Sequence, residues 1–375
     1  METKQIIRSE EVTSYSVNIL RGLVLVAGKG TRLRPLTHTG PKHLIPLAGK
    51  PMMQYAIEHL IEAGITDIGI VVGYMKEKIM EYYGDGSEFN SRFEYIVQEP
   101  QLGIAHAVAV SHEYVDDEPF VVYLGDNIFR EGIRRYVKEF EANDYDAMIL
   151  LSWVRDPTRF GVAEIRNGKI IRLVEKPKVP PSNYALVGIY FFNEVVFEAI
   201  KHLKPSWRGE LEITDAIQWL IDHGYKVHYD IIKGWWKDTG KPEDLLEALY
   251  LILDEINENV KGKIEDEAQI IGRVHIGRGT IVKSGTTIRG PVYIGENCVI
   301  GPDTYIGPYT SIENNVKIHG GEISSSLIMD NCIIELSDDD RIVDSIIGKD
   351  VTIKKITKKR RGLKLTLGET STVFL

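Results

Sequence analysis

Hydrophobic positions along this chain follow two unrelated rhythms. Between Gly22 and Ile232, short apolar runs alternate with amphipathic stretches. The runs Leu23–Val26, Ile68–Val72, Phe93–Val97, Phe120–Leu124 and Ala147–Trp153 predict strands. Between the first two, Met53, Ala56, Ile57, Leu60 and Ile61 fall on one face of a helix predicted over Pro51–Ala63, and Gly64 stops it. Strand–helix alternation of this kind implies an α/β domain built on a mostly parallel sheet, with ligands at the carboxyl ends of the strands. The later part of the domain is less regular. Val162–Ile165 and Ile170–Leu173 flank Asn167-Gly168, a strong hairpin signal, and Ala185–Phe192 predicts a further strand. A helix is predicted over Glu243–Asn259, with Leu245, Leu246, Leu249, Leu253 and Ile256 on its apolar side.

From about Ile270 the period becomes six. Ile270, Ile276, Val282, Ile288, Ile294, Ile300, Ile306, Ile312 and Ile318 recur at that spacing. Two residues ahead of the last eight stand Val274, Thr280, Thr286, Val292, Cys298, Thr304, Thr310 and Val316. Neither an α-helix nor a simple strand has a six-residue period, whereas a parallel β-helix turns a corner every six residues. After Ile318 the register slips, and Ile323, Ile328 and Ile333 continue at five-residue spacing, so an irregular coil is expected there. Cys298 takes an inward repeat position; the place of Cys332 is left open.

A length of 375 residues suits two or three domains. With 43% hydrophobic and 26% charged residues, the composition is that of an ordinary globular protein. The net charge of −9 argues against a general nucleic-acid binder, and the basic run from Lys354 to Lys364 reads as a solvated tail. No apolar run is long enough for a membrane span. Two cysteines without a Cys-x-x-Cys pair argue against a disulfide framework or a structural zinc site and fit a cytoplasmic setting. Met1 to Arg21 is mixed and charged, unlike a signal peptide, and is expected to be an N-terminal extension.

Chemistry concentrates at predicted strand ends. The first strand runs into Ala27-Gly28-Lys29-Gly30-Thr31-Arg32-Leu33-Arg34, with Lys42 shortly after. Free backbone N–H groups in a glycine-rich turn, with cations close by, suit a polyphosphate. The loop is neither of the two common nucleotide loops. No Ser or Thr follows Lys29 as a Walker A loop requires, and Leu33 stands where a dinucleotide fingerprint has its third glycine. Gln98 follows another strand. Its amide could read a base edge, and a surface-loop glutamine fits as well. Asp126 directly follows the Phe120–Leu124 run and Gly125, a good magnesium position, and Asp238 offers a second carboxylate beside a turn. Glu175-Lys176-Pro177 is a charged pair before a break, and Arg208 to Asp215 reads as a turn into a helix capped near Thr214.

In this order the motifs resemble the sugar-1-phosphate nucleotidyltransferases, and most of all the long-type glucose-1-phosphate thymidylyltransferases. The stretch Lys204-Pro-Ser-Trp-Arg-Gly-Glu-Leu-Glu-Ile-Thr-Asp215 is especially specific. The resemblance runs from Gly22 to the C-terminus. It implies a Rossmann-like domain over 22–242, a linker helix over 243–262 and a left-handed β-helix over 263–375. It further implies that Gly28, Gly30, Thr31 and Arg32 hold a nucleoside triphosphate, and that Arg32 and Lys42 stabilise charge on the reacting phosphates. Gln98 and Gly103 match base contacts. Asp126 and Asp238 match ligands of Mg2+. Asn127, Gly161, Glu175, Lys176 and Leu186 match positions around the sugar phosphate, and Trp236 matches a residue near the metal. The substrates implied are dTTP and glucose 1-phosphate, with UTP or another hexose 1-phosphate as the alternative.

Two departures bear on that choice. Ala27 and Lys29 resemble the loop of N-acetylglucosamine-1-phosphate uridylyltransferases, and His43 replaces a customary glutamine. The expected protein is a cytoplasmic homo-oligomer with no nucleic-acid or membrane partner. Two other classes compete. β-Helices also serve acetyltransferases, for which His275 and His319, expected at exposed corners, would be the bases. Non-catalytic regulatory subunits share this architecture and would be expected to lose Arg32, Lys42 or the metal carboxylates, all of which are present.

Overall fold

The computed structural model describes residues 20–354. Most of the N-terminal extension and of the basic and apolar C-terminal stretches lies outside them. Arg21, expected in the extension, already belongs to the first strand, Arg21–Leu25, in register with Phe120.

That strand is the axis of a nine-stranded sheet. It pairs in parallel with Asp67–Val72 and Phe120–Leu124, and Asp67–Val72 pairs in parallel with Arg92–Val97. The parallel order predicted for this half is present. The other half is mixed. Tyr184–Phe192 runs antiparallel to Phe120–Leu124, to Ala147–Trp153 and to the start of Gly161–Arg166. The hairpin of Gly161–Arg166 and Lys169–Glu175 turns at Asn167 and Gly168, with φ of 52° and 74°. Two successive left-handed residues are what a two-residue hairpin of this twist requires.

Each face of the sheet is closed by helices. Met52–Glu62 covers one, with Met53, Ala56, Ile57 and Leu60 fully buried. It ends at Gly64, φ 94°, where Ile65 N–H donates to Leu60 O at 2.9 Å and Gly64 N–H to Ile61 O at 2.9 Å. The other face is covered by Ile104–Ala109, Val195–Lys201 and Ile213–Asp222.

The β-helix forms three parallel sheets, two of six strands and one of five. Residues eighteen apart stack, as in Ile276 on Ile294 and Ile294 on Ile312. Except for the half-buried Ile270, every aliphatic six-period position is buried, as is every small position two residues ahead. The irregular coil falls where expected, with a corner shortened so that Ile312 stacks on Ile328 and Ile318 on Ile334. Ile323 and Ile328 point inward, but the next inward residue is Ile334, not Ile333, and Cys332 takes the small position ahead of it. In a strand, side chains alternate, so a one-residue error exchanges inside for outside.

The connecting helix is shorter than its pattern predicts. It spans Pro242–Leu253, starting on a proline, and Asn259–Val260 is already the first β-helix strand. Leu245, Ala248, Leu249 and Leu253 pack with Leu33, Ile45, Leu47, Met52 and Ile128 of the sheet domain and with Leu327 of the β-helix. This shared core fixes the two parts against each other. No helix among the described residues is long and apolar enough to cross a membrane.

Candidate active site

Adjacent parallel strands end side by side, with Leu25 in register with Leu124, so the loops that leave them share one crevice. One loop carries Gly28 to Arg32. The other carries Asp126. Arg92–Val97, further along the sheet, delivers Gln98. Together with Glu175, Lys176 and Arg208 they line a cleft of about 420 Å³. Gly28, Gly30, Thr31, Arg32, Lys42, Gln98, Gly103, Asp126, Glu175 and Lys176 are all in its lining. Asn127, Gly161, Leu186 and Asp238 are not; they stand directly behind or beside it.

The glycine loop turns through Gly30 at φ 62°, where a Cβ would come within 3.0 Å of Lys42 Cβ. Thr37 Oγ1 donates to Gly30 O at 2.8 Å and ties the loop down. At Gly28, Lys42 Cε would lie 3.6 Å from an added Cβ, so the Lys42 ammonium runs alongside the loop. Lys42 forms an ion pair with Asp126. Asp126 Oδ1 also accepts from Asn127 Nδ2 at 2.9 Å. Burial works to raise the Asp126 carboxyl, but the Lys42 ammonium and these hydrogen bonds outweigh it and hold it well below the usual carboxylate range.

Asp238 lies across from Asn127 in a two-stranded ladder, Asn127–Phe129 against Trp236–Asp238. It borders a smaller adjoining cleft with Phe160 and Trp236. Burial and then the nearby Asp126 charge push its carboxyl upward, opposed by Lys42 and Arg32. Arg32 itself rests on Gly240, where an added Cβ would meet its Nη2 at 2.8 Å. Two partly buried carboxylates in mutual repulsion, one of them already needing a lysine, form a donor set suited to a hard divalent cation that takes its remaining ligands from phosphate. Among the described residues no three His, Cys, Asp or Glu side chains converge as a self-sufficient metal cage.

Asn127 is 3% exposed and its Oδ1 accepts from Trp236 Nε1 at 2.7 Å and from Gly188 N at 3.3 Å. It orients Asp126 rather than facing the cleft. Gly161 is in register with Glu175, and a Cβ there would stand 3.2 Å from Glu175 Oε2. Leu186 is buried within 3.5 Å of the same point.

Arg208, Thr214, Gln101 and His43 join the site although no role in it was expected for them from the sequence. Arg208 is ringed by Glu175 at 3.3 Å, Glu212 at 3.5 Å and Glu210. Thr214, expected as a cap, lies inside the helix Ile213–Asp222 and donates to Glu175 Oε2 at 3.2 Å. Burial, opposed by Lys176 and Arg208, raises the Glu175 carboxyl. Gln98 is 4% exposed and its Nε2 donates to Gly103 O at 2.9 Å, leaving Oε1 with no protein partner among the described residues. Gln101 Nε2 donates to Ala27 O at 2.6 Å and joins the Gln98 loop to the glycine loop. His43 is 2% exposed, lines the cleft and has no partner for Nδ1 among the described residues; burial and the adjacent Lys42 push its imidazole down to about 3.

Of the two histidines considered for acyl transfer, His275 departs from the exposed corner expected of it and His319 does not. His275 is central in its strand, half-buried and stacked on Tyr293 at 4.9 Å, facing the sheet domain. His319 ends a strand and is exposed.

Residues 21–255 match the Nucleotidyl transferase family and residues 288–372 the GMPPB C-terminal domain. Among relatives, the chain is similar to the low-salt glycan biosynthesis nucleotidyltransferase Agl11 of Haloferax volcanii, 45% identical over 95% of this chain and 100% of that one. It is 42% identical to a glucose-1-phosphate thymidylyltransferase of Streptomyces antibioticus, over 94% of this chain and 99% of that one. A crystal structure from Bacillus anthracis, assigned as a glucose-1-phosphate thymidylyltransferase and bound to sucrose, superposes with a TM-score of 0.60. It shares 44% identity, over 64% of this chain and 98% of that one.

Proposed function

The chain belongs to the sugar-1-phosphate nucleotidyltransferase family, and from that premise we propose that it makes dTDP-glucose and pyrophosphate from dTTP and glucose 1-phosphate. The observation that carries this reading is the two-sided cleft. One wall offers the glycine loop, Arg32 and Lys42; the other offers Glu175 and Lys176; Asp126 stands with them.

In this reaction a sugar-phosphate oxygen attacks the α-phosphorus of the triphosphate, and pyrophosphate leaves. The nucleophile is already an anion, so no serine–histidine or cysteine–histidine pair is needed, and the cleft lining contains none. The obstacle is bringing two anions together. Arg32 and Lys42 would lower that repulsion and stabilise charge on the reacting phosphate, each such contact being worth about 3–4 kcal/mol. Backbone N–H groups of Gly28 to Thr31 would cradle the triphosphate. Glu175 would accept from sugar hydroxyls while Lys176 takes the sugar phosphate. Gln98 and Gly103 would meet the pyrimidine edge. Holding both substrates in line can contribute roughly 7–11 kcal/mol. Asp126 and Asp238 would hold Mg2+, which when bound supplies further charge neutralisation at the phosphates.

The choice of dTTP and glucose rests on the Streptomyces relatives. The Ala27 and Lys29 loop favours UTP as the second reading. Pyrophosphate release measured over a matrix of dTTP and UTP against glucose 1-phosphate and N-acetylglucosamine 1-phosphate decides between them. The expected result is the largest kcat/KM for dTTP with glucose 1-phosphate. Preference for UTP would transfer the assignment to the uridylyl reaction, and no release with any pair would end the proposal.

A further inference from the structure

Glu313 is a buried carboxyl that the chemistry above does not use. It is 1% exposed and projects from the β-helix onto the sheet domain. Its Oε2 accepts from Gly49 N–H at 3.1 Å, and its Oε1 accepts from Ser311 Oγ at 2.7 Å. Gly49 is the tip of the hairpin that joins Pro46–Leu47 to Lys50–Pro51. Ala48 and Gly49 both have positive φ, 51° and 87°. Tyr293 fills the space beside the tip: an added Cβ on Gly49 would stand 2.1 Å from its Oη.

This hairpin immediately follows the Lys42–Leu44 turn. Met52 N–H, just beyond the hairpin, donates to Ile45 O at 3.0 Å, just before it. Thr239 Oγ1 lies 2.9 Å from Met52 Sδ and 2.7 Å from Asp126 O. Contacts thus run without a break from Glu313 through the hairpin to both members of the Lys42–Asp126 pair. We propose that Glu313 is a positioning residue for the transfer reaction, a hydrogen-bonding clasp through which the β-helix holds the segment that bears Lys42. The proposal rests on the transferase reading above and adds to it a role for the β-helix.

The surroundings of Glu313 keep it neutral. The titratable groups that face it are Tyr55 from the helix Met52–Glu62, Tyr82 from the helix Lys76–Tyr83, and Tyr293, Cys298 and Asp330 from the β-helix. None is a cation. Lys78 and Lys349 line the same cleft as Glu313, and among the described residues neither pairs with it. Burial, helped by the Asp330 charge and opposed by the Ser311 and Gly49 hydrogen bonds, pushes the carboxyl up from 4.5 to about 8. A raised carboxyl keeps its proton below that point. In the folded protein the carboxyl ionises only as pH rises through about 8, whereas in the unfolded chain it does so near 4.5, so the stability its proton confers is full below about 4.5 and is lost progressively up to about 8, where a buried charge appears without a cation beside it.

The test uses the full chain with Glu313→Gln and Glu313→Ala. Glu313→Gln copies the neutral form; Glu313→Ala removes the clasp. For Glu313→Ala the account expects kcat to fall roughly 10- to 100-fold, the cost of a small misplacement of reacting groups. KM for either substrate should change less than about twofold, because no binding group is touched. Glu313→Gln should keep the wild-type kcat at pH 7, lose the wild-type decline in kcat as pH rises through about 8, and lose the wild-type fall in melting temperature between about pH 4.5 and 8. A normal kcat in a folded Glu313→Ala protein would overturn the proposal, as would an alkaline decline that survives in Glu313→Gln. The melting curves need no turnover, so failure of the clasp is distinguishable from failure of the transferase reading.

Discussion

Arg208 shows how much of this site depends on one side chain for which its motif named no role. Its guanidinium serves Glu175, Glu210 and Glu212 at once. Without it, three carboxylates face one another in a cleft wall of reduced dielectric. Arg208→Ala should therefore cost about 1–3 kcal/mol, read as a lower urea midpoint with an unchanged slope. Arg208→Lys should recover only part of it, because one ammonium cannot fork towards several carboxylates. An unchanged midpoint for Arg208→Ala would remove Arg208 from the supporting network. Lys42 has the parallel role at Asp126. Lys42→Met removes the main group that offsets burial and leaves the Asn127 hydrogen bond, so the Asp126 carboxyl rises and turnover should fall at least 100-fold with the circular dichroism spectrum unchanged. The glycine loop, Lys42, Gln98, Asp126 and Glu175 were legible in the sequence because each follows a strand or a break, where side chains reach a shared crevice. Gln101, His43 and Arg208 were not, because their importance lies in which distant groups they meet. Glu313 meets Gly49 across 264 positions, a pairing no local pattern encodes.

Strands, hairpins and coils were the most readable level. The hexapeptide period survives because each coil stacks identical positions, so every inward residue meets its own kind above and below. Ile294 is fully buried between Ile276 and Ile312. Ile294→Ala should cost about 2–5 kcal/mol, seen as a lower thermal midpoint of the β-helix. A loss under about 1 kcal/mol would mean that the coil refills the cavity and that its packing is looser than described. The period failed at Ile333 because a shortened corner moves the inward position by one, and a strand pattern alone cannot locate a corner. The Pro242–Leu253 helix was over-extended for a related reason. Ile256 carries the apolar rhythm onward into the interface, although the backbone has already left the helix.

The sheet domain and the β-helix form a continuous structure rather than two bodies on a tether. Leu245 and Leu249 share a core with Leu47, Met52 and Leu327, and the hairpin at Gly49 is gripped from the β-helix side. The sequence announced two architectures; it did not announce that the segment bearing Lys42 is supported by both. Net charge argued against a general nucleic-acid binder but was silent on this junction. The central claim is that one cleft brings the α-phosphorus of a nucleoside triphosphate to a sugar 1-phosphate. The most direct measurement supplies dTTP labelled at the α-phosphorus together with glucose 1-phosphate and Mg2+, and follows the label. The account predicts that it appears in a nucleotide sugar in equal amount to unlabelled pyrophosphate, and that Asp126→Asn abolishes the transfer. Label recovered as free dTMP, or a sugar nucleotide formed at the wild-type rate by Asp126→Asn, would contradict it.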